Sequence, residues 1–372
     1  MHRFAALVSF VLSSTLGIAQ ETPTPPTPPT PPTPPTPPTA PAAQADAAET
    51  PPEPERHAVE LLRREAGRVM SQMPSGGARR FLIATTFLPV VDPRTIHWDK
   101  AARRALTPDE FAALPDSDKA TFEARTLDDK FYYYTRFGTP LAYARPIEIL
   151  SVQTPDQPNP FAKKRLFDFG YGTIGHLRLL ASLGADVHGV EVDPVLRALY
   201  SAPEDTGIVE AAPIAPDTVE GKLTLHHGSW PSDATLAKAV GEGFDFFISK
   251  NVLKRGYIHP AQEVDKRLLV DLGVDDETYV KALAALMKPG GLVLIYNLSP
   301  AQKPDAYIPW ADGRCPFDRN LLEKTGFEVL AYDADDSDAA RKMGQAFEWD
   351  QGEKPMDLAK DLFATYTLLR RR

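Results

Sequence analysis

Two short apolar runs each end in an acid, and three glycines stand between them: Leu166-Phe167 before Asp168, Gly170, Gly172 and Gly175 in the turn, and Val187 to Val190 before Glu191. Glycine lets a turn adopt positive φ and lets a ligand approach bare backbone. A helical pattern of Leu177, Leu179, Leu180 and Leu183 follows Gly175 and stops at Gly184. Its first turn points free N–H groups at the glycines, which suits a carboxylate or a phosphate. An acid at the tip of the second strand, about twenty positions beyond the first glycine, is suited to accept hydrogen bonds from both hydroxyls of a ribose. The chemistry these residue types and spacings suit is the grip of a nucleoside-like cofactor.

Which cofactor depends on the residues around the turn. A bare G-x-G-x-x-G is shared with nicotinamide enzymes. Here an acid stands two positions before the first glycine, and Asp168-Phe169-Gly170-Tyr171-Gly172 resembles the first motif of the class I S-adenosylmethionine (SAM) methyltransferases. Gly189-Val190-Glu191-Val192-Asp193-Pro194 resembles their second motif, and the resemblance continues through Phe244 to Leu253 and Leu286 to Ile295. It covers roughly Phe161 to the C-terminus. The resemblance implies SAM as cofactor and an unidentified methyl acceptor. It also implies roles: Gly170 and Gly172 under the methionine part, with Tyr171 between them, and Asp168 placing the amino group directly or through water. Glu191 would bind the ribose, Ser229 and Trp230 would border the adenine, and Lys250 and Asn251 would face the methyl group and the acceptor. Ile174 stands where the third glycine is usual, and Ser229 stands where an acid often follows the third strand, with Asp233 as a substitute. No Asn-Pro-Pro-Tyr follows the fourth strand, so amino methylation of bases or of glutamine has no support.

The elements that must position these residues alternate to the end of the chain. Strands are expected at Leu166–Phe169, Val187–Glu191, Leu223–His227, Phe244–Ser249, Leu292–Tyr296, Phe327–Tyr332 and Phe363–Leu369. This is an α/β fold with a seven-stranded, mostly parallel doubly wound sheet, and the resemblance implies that the last strand is antiparallel. Asp193-Pro194 reads as a helix cap. His226 and His227 are adjacent on a strand and point to opposite faces, so they cannot chelate one metal. His176 reads as a helix-face histidine beside the glycines. No spacing suggests a metal site.

Ahead of the sheet, 56–150 reads as a largely helical extension. Arg56 to Met73 carries apolar residues at helical spacing, Phe81 to Val91 suggests a strand or buried extended segment, and Thr107-Pro108-Asp109-Glu110 starts a helix. Phe131 to Arg145 crowds aromatics and two arginines. They read either as a lid whose Tyr134 and Arg136 meet substrate, joining Lys250 and Asn251 as catalytic candidates, or as a packed segment of core.

The N-terminus reads as a signal peptide, 1–19, with Arg3, an apolar Phe4 to Leu16 and small residues before Gln20. A proline- and threonine-rich linker follows, 20–55, expected to be extended and disordered. The extension is 56–150 and the methyltransferase-like domain 151–372. An exported protein with no membrane span after cleavage is therefore expected. A net charge of −9 argues against a nucleic-acid partner. Cys315 is the only cysteine, so no intrachain disulfide forms. The reading is a SAM-dependent methyltransferase. Two alternatives stay open: an exported non-catalytic binding or scaffold protein that retains the fold, and an NAD(P)-dependent oxidoreductase.

Overall fold

Near-continuous apolar runs become the strands of a central sheet because both of its faces are covered. The computed structural model describes residues 57–134, 138–302, 307–352 and 354–372. The expectations for 1–19, for 20–55 and for Arg136 lie outside the described residues.

The extension holds β1 (Arg94–Asp99), β2 (Arg104–Leu106) and β3 (Glu123–Leu127), an antiparallel sheet in the order β2-β1-β3. The main sheet consists of β4 (Arg165–Phe169), β5 (Asp186–Glu191), β6 (Gly207–Val209), β7 (Gly221–His227), β8 (Phe244–Lys250), β9 (Met287–Ser299), β10 (Phe327–Asp335) and β11 (Phe363–Arg371). Their order is β10-β11-β9-β8-β4-β5-β7-β6. β11 runs antiparallel to both neighbours, and β4, β5, β7, β8 and β9 pair in parallel. The order runs outward in both directions from the β4–β8 pair, so the crevice beyond the carboxyl ends of these two strands is the switch point where ligands bind in such sheets. The fold is the class I methyltransferase type.

Alternate residues of each strand feed opposite cores, as the two-residue period requires. Leu166, Ile248 and Leu294 face one side; Phe167, Phe247 and Val293 face the other. Val59, Leu62, Phe81, Leu82, Tyr132 and Tyr133 of the extension join the first of these clusters. The extension therefore shares a core with the sheet.

Two expectations are corrected. The sheet has eight strands, because the short β6 adds an antiparallel edge to β7. The extension is largely helical, as expected, and also holds the small β1–β3 sheet. Phe81 to Val91 is not a strand. Phe81 to Phe87 belong to a helix, Gly76–Ala84, and a 3-10 turn, Thr85–Phe87, and only Leu88 to Val91 lie outside them. Ser75 caps that helix by accepting from Ala78 N–H, and its own hydroxyl donates to Glu148 at 2.6 Å. A serine cap held by a distant glutamate outweighs the poor helix propensity of Gly76-Gly77. Among the described residues no helix is long and apolar enough to cross a membrane.

Candidate active site

The turn after β4 takes the conformation its glycines permit. Gly170 has φ +74° and Gly172 φ +60°. A Cβ on Gly170 would also sit 2.6 Å from the Val252 side chain, so glycine is required there twice over. The turn is tied to the extension. Thr173 Oγ1 donates to the Tyr133 carbonyl at 2.7 Å and lies 3.2 Å from that of Tyr132. Tyr200 OH donates to the Tyr132 carbonyl at 2.8 Å and accepts from Ile174 N–H at 3.3 Å.

Glu191, at the tip of β5, faces this turn. Its carboxylate accepts from Gly172 N–H at 3.1 Å, Val192 N–H at 2.8 Å and Asp193 N–H at 3.3 Å. Burial raises its pKa to about 7, with the Asp193 charge adding to the rise and the three N–H groups opposing it. Asp193 caps the helix Pro194–Leu199, accepting from Val195 N–H at 2.8 Å.

One cavity of about 500 Å3 opens at the carboxyl ends of the strands. Gly170, Tyr171, Gly172, Glu191, Ser229, Trp230, Lys250 and Asn251 all line it. Tyr171 and Trp230 are nearly buried, and the indole packs 5.4 Å from the Phe167 ring. Lys250 Nζ lies 5.4 Å from the centroid of the Tyr143 ring. Burial lowers its pKa to about 8, against the pull of Asp168. Asn251 takes φ +64°, and its side-chain oxygen accepts from Leu298 N–H at 2.7 Å.

Other expected residues lie elsewhere. Asp168 is fully buried and is not among the lining residues. Its carboxylate meets His176 Nε2 at 2.6 Å and accepts from Tyr143 OH at 3.4 Å. It reaches the cavity through Tyr143 and through its charge on Lys250, both of which line it. His176 is no ordinary helix-face histidine: it is fully buried and its ring stacks on Tyr143 at 3.6 Å. Burial lowers its pKa. Tyr134 also does not line the cavity; it packs against the core of the extension, beside Glu65. Asp233 caps the helix Ala234–Val240, accepting from Thr235 and Leu236 N–H.

Sequence reasoning missed Thr139, Pro140, Lys254 and Tyr257 as lining residues, and gave Tyr143 no role of its own. Tyr143 stood inside the aromatic stretch, which was signal enough to test it. Lys254 carried no pattern at all.

No protein-family model matches the chain, and no curated protein does. Solved structures are similar in fold. A SAM-dependent methyltransferase from Mesorhizobium loti is 15% identical, with 62% of this chain and 98% of that one covered and a TM-score of 0.33. Magnesium protoporphyrin IX methyltransferase from Synechocystis, with bound S-adenosylhomocysteine, is 15% identical over 57% of this chain and 76% of that one, at a TM-score of 0.30. The cyclase SpnF is 15% identical over 57% and 76%, at 0.33. The fold is assigned from strand order and direction, independently of these likenesses.

Proposed function

We propose that the protein is a SAM-dependent methyltransferase acting on an acceptor that enters beside Lys250 and Asn251. One observation carries the reading: the glycine turn, Glu191, Ser229-Trp230 and Lys250-Asn251, picked out from four separate stretches of sequence, line a single cavity at the switch point.

The residues present fit SAM. Glu191 offers a carboxylate at the distance along the motif where ribose hydroxyls are held, with its backbone partners already in place. Gly170 and Gly172 leave bare backbone for the methionine part, and Trp230 with Ser229 gives an apolar face with a polar edge for adenine. Bound there, SAM would supply a methyl group on a sulfonium, already activated for displacement. The chain then has to align the acceptor and keep water out, and positioning alone is worth up to roughly 7–11 kcal/mol in favourable cases. Thr139, Pro140, Ala142 and Tyr143 of the extension wall the cavity and serve that exclusion.

Isothermal titration of the protein with SAM, S-adenosylhomocysteine and NAD tests the reading. Binding of both adenosyl ligands and not of NAD is expected. Binding of NAD alone would favour an oxidoreductase, and binding of none would leave a scaffold protein. Export from residues 1–19 is part of the proposal; detection of the native protein only in the cytoplasm would overturn that part.

A further inference from the structure

Two lysines flank the loop that leaves β8, and both line the cavity. Lys254 is 1% exposed, and its Nζ donates to the Leu298 carbonyl at 2.6 Å and lies 5.1 Å from the centroid of the Tyr257 ring. The loop between the lysines is laced to the end of β9: Asn251 accepts from Leu298 N–H at 2.7 Å, and Asn297 Nδ2 donates to the Leu253 carbonyl at 2.8 Å. The Lys254 amine is thus aimed by a fixed frame.

Among the described residues no carboxylate forms an ion pair with either amine. Asp168, which bonds His176, pulls on Lys250 without forming an ion pair with it, and no acid acts on Lys254. The remaining acids lining the cavity have other partners. Glu191 and Asp193 hold backbone N–H groups, Asp271 accepts from Gly273 N–H, and Asp361 accepts from Asp357 N–H. Lys266 adds a third lysine to the lining. Burial lowers Lys254 to about 7, with the Lys250 charge contributing, and Lys250 to about 8.

Burying an amine without an ion-paired carboxylate is costly. The sulfonium and ammonium of the proposed cofactor would outweigh its single carboxylate and bring net positive charge into the same low-dielectric space. A negatively charged acceptor would give the two amines the ion pair they lack. Leu269, Val270, Leu298, Leu362 and Trp349 give the cavity apolar wall for the body of such a molecule. Resting on the methyltransferase reading, we propose that the methyl acceptor is an organic carboxylate with an apolar body, anchored through its carboxylate oxygens by Lys250 and Lys254.

The full chain, first shown by calorimetry to bind S-adenosylhomocysteine, is loaded with it and titrated with 4-phenylbutyrate and its neutral isostere 4-phenylbutyramide. Tryptophan fluorescence reports occupancy, since Trp230 and Trp349 line the cavity. The carboxylate is expected to bind at least about tenfold more tightly than the amide, with the preference lost in Lys254→Met and in Lys250→Met. Equal affinities, no binding of either probe, or a preference that survives both substitutions would overturn the proposal. Should Lys254→Met fail to fold, Lys250→Met decides. Failure to bind S-adenosylhomocysteine would instead sink the methyltransferase reading, and the same probe pair on the unloaded chain then decides whether the lysines form an anion site.

Discussion

His176 Nε2 lies 2.6 Å from Asp168 Oδ2, and both side chains are fully buried behind the glycine turn. The acid that opens the cofactor motif is therefore turned into the protein. Tyr143 stacks on His176 at 3.6 Å and presents its ring toward Lys250. Four groups in contact lead from the end of β4 to the cavity wall. Asp168→Ala leaves His176 and Tyr143 without their shared acceptor. A loss of about 1–3 kcal/mol of stability is expected in urea unfolding, larger than any change in cofactor affinity. Full stability with cofactor binding abolished would mean that Asp168 touches the ligand directly.

On the proposed reading, Glu191 would make cofactor binding pH-dependent. Its carboxyl is raised to about 7, and in the proposed site only the ionised form would accept from both ribose hydroxyls. Affinity for S-adenosylhomocysteine should rise from pH 6 to pH 8, and Glu191→Gln should flatten that rise in calorimetry. Glu191→Ala should weaken binding by about 1–3 kcal/mol. For the stability of the unliganded protein the sign is opposite. A raised carboxyl favours the folded state below its ordinary value of 4.5, and that contribution is lost as pH climbs through about 7.

Tyr134 belongs to the packing of the extension. Tyr134→Ala should lower the melting temperature, at a cost of about 1–3 kcal/mol, and leave affinity for S-adenosylhomocysteine within about twofold. Turnover lost at unchanged melting temperature would restore it to a lid.

Thr173 fastens the glycine turn to the extension through the carbonyls of Tyr132 and Tyr133. Thr173→Val keeps the shape and removes the hydroxyl. Stability should fall by about 1–3 kcal/mol, and cofactor affinity should fall with it, because the loop loses its anchor. Calorimetry and chemical unfolding of the same preparation would separate the two effects. Weakened folding with wild-type affinity would show that the anchor does not preorganise the turn.

Lys254 costs the fold stability wherever it is protonated in the unfolded chain and resists protonation in the folded one. Its pKa falls from 10.5 to about 7, so stability should rise with pH across that window. Lys254→Met should be more stable than the native protein at pH 7, and the difference should shrink toward pH 9.5. A constant difference would place the amine in contact with water.

Much of this was readable in one dimension. Strand period, glycine spacing and the acid at each strand tip are local properties, and local sterics turn them into the βαβ unit wherever the chain goes. That is why Gly170, Gly172, Glu191, Ser229 and Lys250 were found from sequence and do meet. The capping box at Thr107 and Glu110 was readable for the same reason. Only the tertiary structure decided where side chains in irregular segments point. Tyr134 turns to the extension's core while Tyr143, nine positions on, turns to the cavity. Lys254 becomes a buried amine because the end of β9, more than forty residues away, holds its loop. Direction in a loop depends on what packs against it from afar, and no local period encodes that.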